Sequence, residues 1–147
     1  MDNKLISMWD KRFLNLALHK AQWSKDRTKV GCVITQGKQD KYFGYNGFPQ
    51  NVMDTQDRLD NKEIKHQLVI HAEMNAILSA KESLEGHTLY CTHPPCIRCA
   101  SHIIRVGIER VVCLDNKTTD IEKQQRELKL TREIFNEASI EFDIFKE

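Results

Sequence analysis

The sequence of 147 residues lacks several features that would narrow its function at once. No apolar run approaches the length needed to cross a bilayer, and the N-terminus leads into an amphipathic segment instead of a signal-peptide core. The formal net charge is only +1, so charge gives no case for nucleic acid as an obligatory partner. Repeats, low-complexity segments and linkers are absent. We therefore expect one domain over residues 1–147, in the cytoplasm, or in the host cytoplasm if the protein is viral.

The cysteines argue against a disulfide framework. Their number, five, is odd, and two of them form a Cys-x-x-Cys pair. This pattern favours a reducing compartment with metal-bound thiolates. The other three, Cys32, Cys91 and Cys113, fall in apolar segments and are expected to be buried thiols without chemistry.

Hydrophobic periodicity predicts four helices and five strands. The helices are expected at residues 5–23, from 71 to about 80, from 95 to about 106, and at 121–138. The strands are expected at residues 30–35, 41–45, 88–92, 109–114 and 140–145. A short polar turn over residues 36–40 makes the first two strands an antiparallel hairpin, and residues 46–65 predict a long loop with at most one helical turn. The order predicts an α/β fold, a three-layer α/β/α sandwich with a five-stranded mixed sheet.

Two details of the helices follow from side-chain chemistry. The first helix should bury an apolar face that includes both Trp9 and Leu16, and the second tryptophan, Trp23, is also expected in the core. Pro95 suits the first turn of the third helix, where a missing N–H costs nothing.

Two short clusters carry the chemistry: His71-Ala72-Glu73 and Pro95-Cys96-Ile97-Arg98-Cys99. His71, Cys96 and Cys99 are zinc-ligand types, and a catalytic zinc site keeps one position open for water, whereas a structural site usually closes with four protein ligands. Glu73 cannot point the same way as His71 on a regular helix, so we expect it outside the ligand set. Zinc lowers the pKa of bound water to about 7, and a neighbouring carboxylate can move its proton. The two clusters therefore predict hydrolytic removal of an amino group from an aromatic ring.

Neither cluster alone is specific to catalysis. Cys-x-x-Cys also occurs in redox pairs and structural zinc knuckles, and Cys91 or His93 could close the site as a fourth ligand. A non-catalytic zinc module that binds a nucleotide or a protein is the alternative from a different class. The two clusters in this order, however, form a known signature of the zinc-dependent nucleobase deaminases, which favours catalysis.

With these motifs the chain resembles the deoxycytidylate (dCMP) deaminase family, within the wider cytidine deaminase fold. The resemblance covers nearly the whole chain and extends beyond the zinc motifs to residues 24–31, 44–49 and 103–108. It implies conversion of dCMP to dUMP and ammonia, which supplies dUMP for thymidylate synthesis, with bound Zn²⁺ and Glu73 as the proton shuttle. It also implies a homo-oligomer, with a hexamer expected, and regulation by the effectors dCTP and dTTP.

The resemblance also suggests substrate contacts. Asn46 matches an asparagine that contacts the sugar, and the N–H of Ala72 is a candidate for the pyrimidine carbonyl oxygen. Arg27 and Lys29 are candidates for the phosphate, because such side chains near strand ends suit that role, although both could equally be solvated surface charges. His93 could stack near the base or be an ordinary strand-end histidine.

The first loop departs from the family pattern. Relatives more often carry Asp-Pro-x-Thr, whereas this chain has Asp26-Arg27-Thr28 and no proline. This departure concerns the phosphate contacts more than the chemistry. The nearest alternative is a deaminase acting on deoxycytidine triphosphate or on a base in single-stranded nucleic acid, and the near-zero net charge counts against the nucleic acid.

Overall fold

The computed structural model describes residues 5–115 and 121–147, in which five strands form one mixed sheet in the order β2-β1-β3-β4-β5. The strands are β1 Gly31–Gln36, β2 Gln39–Tyr45, β3 Thr88–Cys91, β4 Arg110–Leu114 and β5 Glu141–Phe145. The helices are α1 Met8–Ala21, α2 Gln56–Asp60, α3 Lys62–Leu68, α4 Ala72–Ser79, α5 Ile97–Arg105 and α6 Ile121–Glu137. β1 is antiparallel to β2 and β3, whereas β3, β4 and β5 run parallel.

Helices cover both faces of this sheet, because successive side chains of a strand point to opposite faces. Val33, Tyr90 and Val112 pack against the side chains of α1. The alternate residues of the same strands pack on the opposite face, in a cluster that includes buried residues of α4, α5 and α6. The predicted three-layer α/β/α sandwich with a mixed sheet is confirmed. Within the described residues, no helix combines the length and apolar character that a membrane crossing requires.

Two glycines let the β1–β2 hairpin approach the helices on either side of it. A Cβ on Gly31 would overlap the backbone of α1 and lie 2.6 Å from the nitrogen of Ala21. A Cβ on Gly44 would overlap the carbonyl oxygen of Ala72 and lie 2.6 Å from the nitrogen of Ala76, both in α4. Any larger residue at either position must therefore push a helix away from the sheet.

The hairpin turn is shorter than the sequence predicts. The strands extend to Gln36 and Gln39, so that only Gly37 and Lys38 connect them. Gly37 has a φ of 60°, a conformation that glycine adopts without strain, and a two-residue turn of this hand matches the twist of the strands.

Trp9 packs against the core as predicted, but the predictions for Trp23 and Leu16 need correction. Trp23 is 54% exposed and follows the end of α1, where the Lys20 amine lies 3.6 Å from its ring centroid. A cation over an aromatic face is favourable in water, so this ring does not need the core. Leu16 is also exposed, and Leu14 is buried in its place.

Two short helices, α2 and α3, occupy the segment predicted as a long loop. Neither helix contains a buried residue, so neither produces apolar periodicity. Their starts are instead marked by side-chain caps: the hydroxyl of Thr55 accepts from the N–H of Arg58, and the amide oxygen of Asn61 accepts from the N–H of Ile64. Pro95 also differs from the prediction, because Cys96 is the extended N-cap of α5 and Pro95 precedes it.

Candidate active site

The three metal-ligand candidates converge at two helix starts. His71 is the N-cap of α4, Cys96 is the N-cap of α5, and Cys99 lies in the first turn of α5. Nδ1 of His71 lies 3.3 Å from Sγ of Cys99 and 3.6 Å from Sγ of Cys96. The three ligand atoms lie within 4.8 Å of one another, close enough to share one zinc ion at bond lengths of about 2.0–2.3 Å.

The side chains at these two N-cap positions do not cap their helices. An N-cap is usually Ser, Thr, Asp or Asn, whose side chain accepts a hydrogen bond from the first turn. Neither His71 nor Cys96 makes such a bond. Their side chains turn towards each other instead, so that the two helix starts present an imidazole and a thiolate to one point.

The protonation of the thiols shows why this donor set suits a cation. Hydrogen bonds from the Cys99 thiol and from His71 lower the pKa of Cys96 well below its ordinary value. The same contact raises the pKa of Cys99 far above its ordinary value, because a second thiolate would lie beside the first. A divalent cation between the sulfurs removes this repulsion and allows both to ionise. The residues therefore fit the zinc ion.

Glu73 lies beside the three ligands and is not one of them. It is the second residue of α4 and only 4% exposed. Burial raises the pKa of its carboxyl to about 7, although its own backbone N–H and the charge of His71 lower it. Within residues 5–115 and 121–147, the ligand group comprises His71, Cys96 and Cys99, and neither Cys91 nor His93 belongs to it. The arrangement therefore leaves room for water next to an acid–base group.

A cavity of about 320 Å³ opens over this group. His71, Glu73 and Cys96 line it, and Asn46 and Lys65 are among the other lining residues. Sites for small molecules have volumes of this order. The cavity thus brings a small substrate to the ligand group and to the buried carboxylate together.

The family known as the cytidine and deoxycytidylate deaminase zinc-binding region matches residues 7–115. The chain belongs to this family. The match spans both zinc motifs and the cavity residues, so the metal of this deaminase is zinc.

Relatives extend the match beyond the zinc region. The chain is 40% identical over 138 residues to an uncharacterized deaminase of Aliivibrio fischeri, covering 93% of each protein. It is 40% identical over 125 residues to a probable deoxycytidylate deaminase of Drosophila melanogaster, covering 76% of this chain. The matched part spans only 62% of that longer relative.

The fold also matches a solved structure. The dCMP deaminase of the cyanophage S-TIM5, in its apo form, superposes with a TM-score of 0.75 and covers 96% of this chain and 100% of its own. The two sequences are 22% identical, so this match bears on the fold. The cytidine deaminase-like architecture predicted from the sequence is confirmed.

The candidates for substrate binding divide into two groups in this deaminase. Asn46 and Ala72 line the cavity, as does His93. The side-chain amide of Asn46 donates to the carbonyl of Thr28 and accepts from the N–H of Val30, so it also holds the first loop in place.

Arg27 and Lys29 do not belong to the cavity lining. The Arg27 side chain is 88% exposed and lies 3.7 Å from the carboxylate of Asp60, and the Lys29 amine donates to the carbonyl of Ser24. The loop therefore turns both cations towards the protein surface and away from the ligand group.

Lys65 and His66 are cavity residues that sequence reasoning missed. They lie on α3, in the segment without apolar periodicity, and the cap at Asn61 was the signal that could have placed them on a helix. Three consecutive loop residues pair with this segment: Lys25 with Asp54 at 2.8 Å, Asp26 with Lys65 at 3.3 Å, and Arg27 with Asp60. These ion pairs fasten the first loop of the deaminase to its α2–α3 segment.

Proposed function

We propose that this chain hydrolyses the amino group of dCMP, giving dUMP and ammonia and supplying dUMP for thymidylate synthesis. One observation carries the proposal: a buried carboxylate, Glu73, adjoins a His/Cys/Cys zinc site without belonging to it. A purely structural site has no use for such a carboxylate. The substrate follows from the deoxycytidylate deaminases among the relatives.

The reaction adds water across the C4–N3 bond of the base and then expels ammonia. His71, Cys96 and Cys99 would hold the zinc ion, which when bound would supply a water molecule of lowered pKa. Glu73 takes the proton of that water and delivers it to N3 as the oxygen joins C4. The proton of the hydroxyl group formed at C4 then passes through Glu73 to the amine, the C4–N bond breaks, and ammonia leaves. Burial raises the pKa of Glu73, and a carboxyl with a raised pKa is suited to both accepting and donating protons.

Three residues of the cavity are proposed to orient the nucleoside. Ala72 is the first residue of α4, where backbone N–H groups have no partner inside the helix, so its N–H can donate to the pyrimidine carbonyl oxygen. Asn46 lines the same cavity and is our candidate for the sugar contact. Burial lowers the pKa of His93, which favours a neutral ring against the base.

Lys65 replaces Arg27 and Lys29 as our candidate for the 5′-phosphate. Its side chain is 17% exposed and lines the cavity, so its amine is partly shielded from water. A shielded cation binds an anion more strongly than an exposed one, because screening is weaker there. His66, next to it on α3, adds a further donor.

We also propose a cytoplasmic homo-oligomer, with a hexamer as the expected state and dCTP and dTTP as effectors. Free thiols at Cys32, Cys91 and Cys113 suit a reducing compartment. Large apolar side chains are exposed on this single chain, such as Leu78 at 66%, and burial against other copies would remove them from water. Light scattering tests the hexamer, and its repetition with dCTP and with dTTP tests whether either triphosphate changes the number of subunits.

An ultraviolet deamination assay tests the reaction and its substrate. The assay compares dCMP, dCTP, CMP, deoxycytidine and cytidine, and we expect the highest kcat/KM for dCMP. Preference for deoxycytidine would overturn the phosphate assignment, and preference for dCTP would identify the triphosphate deaminase. The variant Glu73→Gln should keep its zinc and its fold while kcat falls about 100- to 10,000-fold. Wild-type turnover by this variant would refute the mechanism.

A further inference from the structure

Asn75 is a polar residue of α4 that the proposed chemistry leaves unused. It is the fourth residue of the helix, and it does not line the cavity over the zinc ligands. Its side-chain nitrogen donates to two carbonyl oxygens, that of Tyr45 at 2.8 Å and that of Ile70 at 3.3 Å. Both protons of the amide are thus used, because an amide nitrogen has two protons to donate.

The two carbonyl groups belong to segments that supply the site. Tyr45 is the last residue of β2 and directly precedes Asn46, our candidate for the sugar contact. Ile70 directly precedes His71, which is the N-cap of α4 and a zinc-ligand candidate. One side chain therefore joins the backbone beside the sugar contact to the backbone beside the metal ligand.

A backbone pair joins the same two segments. Gly47 and Ile70 form an isolated antiparallel bridge, in which the N–H of Ile70 donates to the Gly47 carbonyl at 2.8 Å. In return, the N–H of Gly47 donates to the Ile70 carbonyl at 3.1 Å. A bridge of one residue pair opens more easily than a longer ladder, because few contacts hold it closed. The amide of Asn75 adds two hydrogen bonds to this junction of residues 45–47 with residue 70.

We propose that Asn75 is a positioning residue, which sets the spacing between Asn46 and the reacting groups at the start of α4. This role rests on the proposed function, because it acts through the sugar contact assigned there. A nucleotide held at its sugar must present the base at the correct distance from Glu73. Small misplacements of a reacting group cost large factors in rate.

Substitutions at position 75 remove the donors without removing the bulk of the side chain. Asn75→Leu has a similar shape and no polar group, and Asn75→Asp keeps the shape but has only acceptors when ionised. The matched control is Ser79→Ala on the same helix, which removes a hydrogen bond from the Ser79 hydroxyl to the Ala76 carbonyl at 2.7 Å. Zinc content, melting temperature, and kcat and KM for dCMP are measured for each zinc-loaded protein.

We expect kcat of Asn75→Leu to fall about 10- to 100-fold, at unchanged KM and zinc content, because the bound base is no longer aligned with the reacting groups. Ser79→Ala should keep the parental kcat. A parental kcat in Asn75→Leu would overturn the inference. Should Asn75→Leu fail to fold, Asn75→Asp makes the same comparison.

The variant Asn46→Ala separates positioning from a general loss of structure. When Asn46→Ala has already removed the sugar contact, adding Asn75→Leu should lower kcat by a much smaller factor than it does in the parent. An equal factor in both backgrounds would show that Asn75 acts independently of Asn46, and the inference would then be wrong.

Amide hydrogen exchange in the zinc-free protein tests the junction without turnover. The N–H groups of Gly47 and Ile70 should exchange about tenfold faster in Asn75→Leu than in the parent, because the loss of a hydrogen bond eases local opening. In Ser79→Ala both groups should exchange at the parental rate. Parental exchange in Asn75→Leu would show that Asn75 does not hold the junction and would refute its role.

The variant Glu73→Gln distinguishes this failure from failure of the proposed function. If Glu73→Gln is inactive and Asn75→Leu is fully active, the role of Asn75 is refuted and the deaminase mechanism stands. If Glu73→Gln keeps the parental activity, the mechanism is refuted and the role of Asn75 in it falls as well.

Discussion

The amine of Lys65 lies 3.3 Å from the carboxylate of Asp26, and both side chains line the cavity over the zinc ligands. The two side chains are 17% and 10% exposed, so this pair is less screened than an ordinary surface ion pair. Asp26 thus holds the lysine at the cavity wall, where the doubly charged phosphate of a mononucleotide would compete for it.

Replacing Lys65 should affect the nucleotide and spare the nucleoside. In Lys65→Met, KM for dCMP should rise about tenfold to 100-fold, the value of a hydrogen bond to a charged group, while kcat/KM for deoxycytidine stays constant. Arg27→Met, which removes an exposed cation from the same region, is the control and should leave both substrates unaffected. An unchanged KM for dCMP in Lys65→Met would exclude Lys65 as the phosphate ligand.

Removing zinc should destabilise the fold as well as stop turnover. The metal would join the start of α4 to the start of α5, and a ligand present at 100 times its Kd stabilises a protein by about 2.7 kcal/mol. Chelation, or the variant Cys96→Ala, should therefore lower the melting temperature together with the measured zinc content. Cys113→Ala should still bind one zinc ion per chain. A melting temperature indifferent to chelator would show that zinc does not couple these helices.

Gly44→Ala should disturb the site from a distance. The added methyl group would overlap the backbone of α4 at Ala72 and displace the helix that carries His71 and Glu73. Overpacking of this kind costs about 1–3 kcal/mol, and both zinc affinity and kcat should fall. At Gly47, by contrast, the nearest atom to an added Cβ is a Tyr45 ring carbon at 3.8 Å. The free energy of unfolding of Gly47→Ala, measured in urea, should therefore match that of the parent. Equal losses of stability in Gly44→Ala and Gly47→Ala would contradict the packing argument.

Acid should weaken a charge network on the other side of the sheet. The Arg110 guanidinium donates to both oxygens of Asp10 at 2.8 Å, and Tyr90 donates to the same carboxylate. Burial alone would raise the pKa of Asp10, but these bonds outweigh it and hold the pKa below its ordinary value of 3.8. The stability that Asp10 contributes is therefore present above that value and is lost as the pH falls through the lower folded pKa.

The variant Asp10→Asn checks this dependence. At pH 7 its free energy of unfolding should be about 2 kcal/mol lower than that of the parent, since a hydrogen bond to a charged group is weakened. Urea titrations should show that this difference in the free energy of unfolding narrows as the pH is lowered from 7 to 3, because the Asp10 carboxylate of the parent takes up a proton. A difference that stays constant over this range would show that the charge of Asp10 is not its source.

The chemistry could be predicted from sequence because it depends on short spacings. His71 and Glu73 are two residues apart, and Cys96 and Cys99 are three apart, so each pair is placed by one helix start. The three central strands, β1, β3 and β4, were predictable for a similar reason, since they are largely apolar and buried. Both predictions depend on local geometry that neighbouring residues determine.

The part of the cavity wall that α3 supplies could not be predicted in this way. Because α2 and α3 contain no buried residue, their sequences show no apolar periodicity from which the helices could be predicted. Lys65 reaches the cavity only because this polar segment folds against it. Arg27 and Lys29 are close in sequence to the predicted site, but their partners, Asp60 and the carbonyl of Ser24, turn them outwards. Such partners are set by tertiary contacts that spacing does not encode.

The zinc ligands and Glu73 lie at the starts of α4 and α5, whereas Lys65 lies on α3, which contains no buried residue and is joined to the first loop by the ion pair with Asp26. The residues proposed for the reaction and the residue proposed for the phosphate therefore lie on parts of the chain that can be replaced separately. Libraries seeking a deaminase for a substrate with a different phosphate group should vary residues 51–68 and leave α4 and α5 intact. Retained zinc content is then the first screen for variants whose chemistry has survived the exchange.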